Sequence, residues 1–121
     1  MAKLADNEVR AVLRYLRMSP QKVRLVADLV RGKNALEALT LLRFTPKAAA
    51  EPISKLVASA VANAVENKQF DAEDLVISQI YVDCAPIRPW RRFAARGRFR
   101  PIKRRSSHVT VVLRQQTDAE A

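Results

Sequence analysis

The stretch from Arg88 to Arg105, RPWRRFAARGRFRPIKRR, holds eight arginines, one lysine and no acid. Guanidinium groups keep their charge at any accessible pH. A charge taken out of water without a partner is strongly destabilising. The segment therefore cannot lie in a protein core, and the rest of the chain must fold without it. Its flanks tell how. Leu75 to Cys84 (LVISQIYVDC) and Val109 to Leu113 (VTVVL) are rich in β-branched residues and read as strands. Two strands joined by a long connector with no helical pattern suggest a long β-hairpin over about 80–113. About 13 residues separate Ile80 from the middle of the connector. At roughly 3.3 Å per residue an extended arm reaches about 40 Å. A domain of this size has a radius of roughly 14 Å, so the hairpin is expected to protrude.

The remaining chain supplies a body. Val9 to Met18 (VRAVLRYLRM) fits a strand, although its length also admits a helix. Ser19-Pro20 is an N-cap followed by a residue suited to the first helical position. The helix expected there is Pro20 to Arg31, with Val23, Val26 and Val30 on one side, Leu25 and Leu29 beside them, and Gly32 as its C-terminal cap. Asn34, with Glu37 as capping-box partner, opens a helix from Ala35 to Phe44 that buries Leu36, Leu39 and Leu42. Thr45-Pro46 repeats the cap-then-proline signal ahead of a helix over roughly Lys47 to Lys68. In it Ile53, Leu56, Val57, Ala60, Val61 and Ala64 recur at spacings of three and four. The expected fold is α+β in a single domain over 1–121: a small three-stranded antiparallel sheet packed with three α-helices, plus the protruding hairpin.

Composition says what such a body meets. Hydrophobic residues make up 49% of the 121, but aromatics only 6%, so the core must be mostly aliphatic. The formal net charge is +10. Eight basic groups lie in residues 1–33 and nine in 85–105, whereas all twelve acids lie outside Cys84 to Thr117. A neutral body with two basic surfaces implies a polyanionic partner, nucleic acid before membrane. In the connector, arginine forks match phosphate oxygens, and Trp90, Phe93 and Phe99 offer flat faces to unpaired bases. Pro86, Pro89 and Pro101 stiffen the backbone, and Gly97 permits a turn. Arg88, Trp90, Arg91, Arg92, Arg96, Arg98 and Arg100 are candidate RNA contacts on that chemistry.

Other chemistries find no support. One histidine, His108, and one cysteine, Cys84, do not make a metal site, and no disulfide framework is possible. Ser106-Ser107-His108 is no triad, because neighbours on a strand point to opposite faces. Two glycines supply no phosphate loop. The two N-terminal helices loosely resemble a helix-turn-helix. The second carries only Arg43 as a base, which is poor for a recognition helix. No apolar run spans a bilayer, and the basic segment has no amphipathic pattern. Neither an enzyme, a cofactor nor a membrane partner is expected.

Three stretches, RYLRMSPQKVRLVADLVRGK (Arg14 to Lys33), SAVANAVEN (Ser59 to Asn67) and ARGRFRPIKRRSSHVTVVL (Ala95 to Leu113), resemble the bacterial large-subunit ribosomal protein L-twenty-two family. Their order and spacing agree over roughly residues 9–114. The resemblance implies a structural constituent of the large ribosomal subunit that binds its RNA and supports assembly. Its extended hairpin, with a tip region at about 87–97, is implied to line the nascent polypeptide exit tunnel. Implied partners are large-subunit ribosomal RNA, neighbouring ribosomal proteins and the nascent chain, with no homo-oligomer. The implied location is the ribosome, in the cytoplasm or an organelle. Arg14, Arg17, Ser19, Pro20, Lys22 and Arg24 match the family's basic N-terminal surface. Arg96, Gly97, Arg98, Lys103, Arg104, Arg105, Ser107 and His108 match its second RNA-contacting stretch. Arg88, Pro89, Trp90, Arg91, Arg92 and Phe93 fall in the tunnel-lining tip. There this sequence departs from the family: Cys84-Ala85-Pro86 stands for Glu-Gly-Pro, and aromatics replace a proline and basic residues.

Overall fold

The computed structural model describes residues 4–86, 88–93 and 99–116. Strand β1 (Glu8–Leu16) is followed by helices α1 (Pro20–Val30), α2 (Ala35–Arg43) and α3 (Ala50–Asn67). After a single 3₁₀ turn come β2 (Leu75–Cys84), β3 (Arg88–Phe93), β4 (Phe99–Arg104) and β5 (Ser107–Gln115). The fold is α+β. The sheet order is β1-β5-β2, fully antiparallel, and β3 pairs with β4 in a separate two-stranded ribbon. The last strand thus fills the centre of the sheet. Its inward residues Val109, Val111 and Leu113 are fully buried. Because side chains alternate along a strand, the register places Val9, Ala11, Ile80 and Val82 on the same face. All three helices pack there, and the core is aliphatic among the described residues, as the composition requires.

Helix entry and exit follow local chemistry, with instructive departures. Ser19 holds the N-cap position of α1 and Pro20 opens the helix, but the serine side chain makes no cap bond. The Asn34 side chain does accept the Leu36 N–H at 3.0 Å. Glu37 returns no bond to it among the described residues; Asn34 instead donates to the Glu73 carbonyl at 2.8 Å. Helix α3 starts at Ala50, not Lys47. Pro52 explains the later start. A helix begun at Lys47 would put the Pro52 ring against the Ala48 carbonyl, whereas in the first turn its missing N–H is harmless. Thr45, just past the end of α2, faces back to that helix, its hydroxyl donating to the Leu41 carbonyl at 2.7 Å.

Apolar periodicity places the stripes correctly but overstates their width. On α2 the buried residues are Ala35, Ala38 and Leu42; Leu36, expected inside, is 40% exposed, and Leu39 is half-buried. On α1, Leu25 and Leu29 face outward while Val23, Val26, Ala27 and Val30 are buried. Small residues bring each helix close to its neighbours, and the larger leucines one position round remain at the rim.

Strand β2 lies at an edge of the sheet, and the chain covers it. Gly32, at φ 81, donates its N–H to the Ile77 carbonyl at 2.9 Å, and Ile77 donates back to the Lys33 carbonyl at 2.9 Å. Farther along, Arg31 donates to the Ile80 carbonyl at 2.7 Å. Arg24 grips the Val82 carbonyl through Nε and Nη2 at 3.3 and 3.0 Å. Edge carbonyls that would otherwise template another strand are thereby occupied.

Candidate nucleic-acid interface

Near its end β1 bulges. Leu13 pairs with Val109 and Leu16 with Ser107, so Arg14 and Tyr15 together oppose His108. Tyr15 takes a positive φ of 58 there. Its N–H donates to Nδ1 of His108 at 3.1 Å, and the two rings stand perpendicular with centroids 4.7 Å apart. One residue away, Ser107 is fully buried and its hydroxyl donates to the Met18 carbonyl at 2.7 Å. These contacts span about 90 positions of sequence. They bring the N-terminal basic surface and the second basic stretch to one end of the sheet.

The predicted residues divide by what they can still do. Arg14, Arg17 and Lys22 are exposed and carry no ion pair among the described residues. Arg105 is exposed as well. Ser19 is half-buried with its hydroxyl uncommitted among the described residues. Arg24 is exposed but anchored on Val82. An arginine has five N–H donors, so three stay available on a guanidinium already fixed in place. Ser107 lies beneath the surface, its hydroxyl a structural tie to Met18. His108 is half-buried, with Nδ1 engaged by the backbone.

At the hairpin root the Ala85 N–H donates to the Ser106 carbonyl at 3.0 Å, and Cys84 pairs with Ser107. Arg88, Pro89, Trp90, Arg91, Arg92 and Phe93 form β3. Arg100, Lys103 and Arg104 lie on β4. The register sets Arg88 opposite Arg104, Trp90 opposite Ile102, Arg92 opposite Arg100 and Phe93 opposite Phe99. The expected tip region at about 87–97 therefore begins in a strand. Arg96, Gly97 and Arg98 lie outside the described residues. Among the described residues no group of three or more acids, cysteines and histidines could hold a metal ion. Among the described residues no helix is long and apolar enough to cross a membrane.

Residues 11–114 match the family described as ribosomal protein L22p/L17e. The chain belongs to this family. A protein named large ribosomal subunit protein uL22 from a Synechococcus strain is 51% identical over 98% of this chain and 97% of its own length. Proteins of the same name from Herpetosiphon aurantiacus and Desulfitobacterium hafniense are 52% and 48% identical, each over 88% of this chain and 94% of their own length. The L22p/L17e proteins are ribosomal proteins rather than enzymes. The matched range takes in most of β1, the three helices, both hairpin arms and nearly all of β5.

Sequence reasoning missed Tyr15 and Tyr81, both exposed on the sheet. In sequence Tyr15 continues the alternation of Val9, Ala11 and Leu13, and the bulge in β1 brings it to His108.

Proposed function

We propose that this chain is a structural constituent of the large ribosomal subunit, bound to large-subunit ribosomal RNA. The observation that carries the reading is the junction of Leu16 with Ser107 and of Tyr15 with His108. It unites two distant basic segments beside the root of an arginine-rich hairpin. Arg14, Arg17, Lys22, Arg24 and Arg105 neutralise phosphates on the body, and each neutralised phosphate releases condensed counterions. The hairpin supplies Arg88, Arg91, Arg92, Arg96, Arg98, Arg100, Lys103 and Arg104. Arginines at opposed register positions repel one another, and phosphates on both sides of the ribbon would remove that repulsion. A ribbon stabilised in this way threads folded RNA and holds separate RNA segments together, which supports assembly. Its far end lines the nascent polypeptide exit tunnel. Neighbouring large-subunit proteins and the nascent chain are its other partners, in a ribosome-bound, cytoplasmic setting.

A salt titration against three competitors tests this: large-subunit ribosomal RNA, random RNA of equal length and duplex DNA. The intact protein should prefer the ribosomal RNA by orders of magnitude at physiological salt. Replacement of residues 86–100 by a short turn should remove much of that preference. Equal binding to all three, with a steep salt slope, would mean generic polycation behaviour.

A further inference from the structure

We infer that Tyr15, His108 and Tyr81 form a stacking platform for unpaired RNA bases on the helix-free face of the sheet. The inference rests on the RNA-binding reading and assigns it a site of a different chemical kind. The helices cover the face that carries Val109, Val111 and Leu113, so His108 and Thr110 belong to the other face. Tyr81 pairs with Thr110, and Asp83 with His108, which sets Tyr81 diagonal to His108 on that same face. The bulge adds Tyr15 from the opposite neighbour. Three rings thus cross three adjacent strands, with Tyr15 54% and Tyr81 41% exposed.

The detail at Tyr15 points to a ligand. A non-glycine residue at φ 58 is strained, and such strain concentrates at functional sites. Here the strained backbone turns a tyrosine ring to the surface and its N–H onto His108. That hydrogen bond requires the ring proton of His108 to sit on Nε2, leaving a donor on the far side of the imidazole. The perpendicular Tyr15–His108 pair makes a corner of two planes. A flat base can stack on one ring and meet the edge of the other.

Charge decides between base and phosphate. Asp83, exposed and opposite His108, disfavours a phosphate over the rings and offers an acceptor to base N–H groups. Arg14, Arg17 and Arg105 lie at the same end of the sheet and suit the phosphates on either side. Aromatic residues on an open antiparallel sheet, flanked by arginines, are a recurrent way to hold single-stranded RNA.

The test uses the full chain and large-subunit ribosomal RNA, with affinity measured across a salt titration. Tyr15→Asn keeps a residue that tolerates a positive φ and removes the ring. Tyr81→Thr keeps β propensity and removes the ring. Each should weaken binding by roughly 5- to 150-fold with the salt slope unchanged, and Tyr15→Phe and Tyr81→Phe should restore it. Ultraviolet crosslinking of the unaltered protein should give nucleotide adducts at Tyr15, His108 or Tyr81, a readout that does not depend on any variant folding. Unchanged affinity in both ring-less variants, with no adduct at the three residues, would overturn the platform while leaving RNA binding intact. Ring-less variants that keep RNA affinity but lose a neighbouring protein from reconstituted subunits would also overturn it, marking the face as a protein contact. Failure of the unaltered protein to prefer ribosomal RNA would remove the broader reading and the platform with it.

Discussion

Ser107 is a basic-segment residue whose side chain works inside the fold. Its hydroxyl is fully enclosed and donates to the Met18 carbonyl, tying the start of β5 to the turn before α1. Removing it leaves the carbonyl short of a donor and frees Arg14 and Arg17 to move relative to Arg105. Ser107→Ala should destabilise the protein by about 1 kcal/mol, read as a lower urea midpoint with the m-value unchanged. RNA affinity should fall less than for loss of an arginine, since no contact is deleted. A serine amid basic residues gives no such hint in sequence, where a hydroxyl reads equally well as a phosphate donor.

Among the elements, α2 separates pattern from packing. Leu36, Leu39 and Leu42 share a spacing of three, and spacing alone treats them alike. The helix in fact faces its neighbours with Ala35, Ala38 and Leu42, so only Leu42, at 3% exposure, lies in the core. Leu42→Ala should cost about 2–5 kcal/mol, the range for a buried leucine. Leu36→Ala should cost less, about 1 kcal/mol, because Leu36 is already 40% exposed and its removal leaves no enclosed cavity. Thermal unfolding of the two variants side by side checks the difference. Equal losses would place the α2 stripe where the periodicity alone put it. The start of α3 carries a similar lesson. Thr45-Pro46 signals a helix entry, but α3 starts only at Ala50, because Pro52 fits a first turn and would clash inside a longer helix.

Across the whole molecule, charge and fold are separable. The aliphatic core holds the helices to one face of the sheet, and the cations lie outside it. Arg14, Arg17 and Lys22 are exposed without ion pairs among the described residues. Replacing all three with alanine should therefore leave stability nearly unchanged. It should also lower the salt slope of RNA binding by about 2–3, near one for each phosphate contact removed. An unchanged slope would place these residues away from the RNA.

The local chemistry of the sequence determined most of the elements. The Ser19-Pro20 entry, the Asn34 cap, the alanine-lined stripe of α3 and the β-branched runs of β2 and β5 each act over a few residues and are visible there. So was the need for a protruding basic hairpin, since nine cations without an acid cannot be buried. Tertiary structure alone decided the strand order that puts β5 between β1 and β2, the bulge that strains Tyr15, and the guanidinium cover over the edge of β2. These depend on which groups far apart in sequence find one another, from Cys84 with Ser107 to Glu8 with Arg114. Local propensity carries no record of such pairing, because it is the closing of the shared core that selects it.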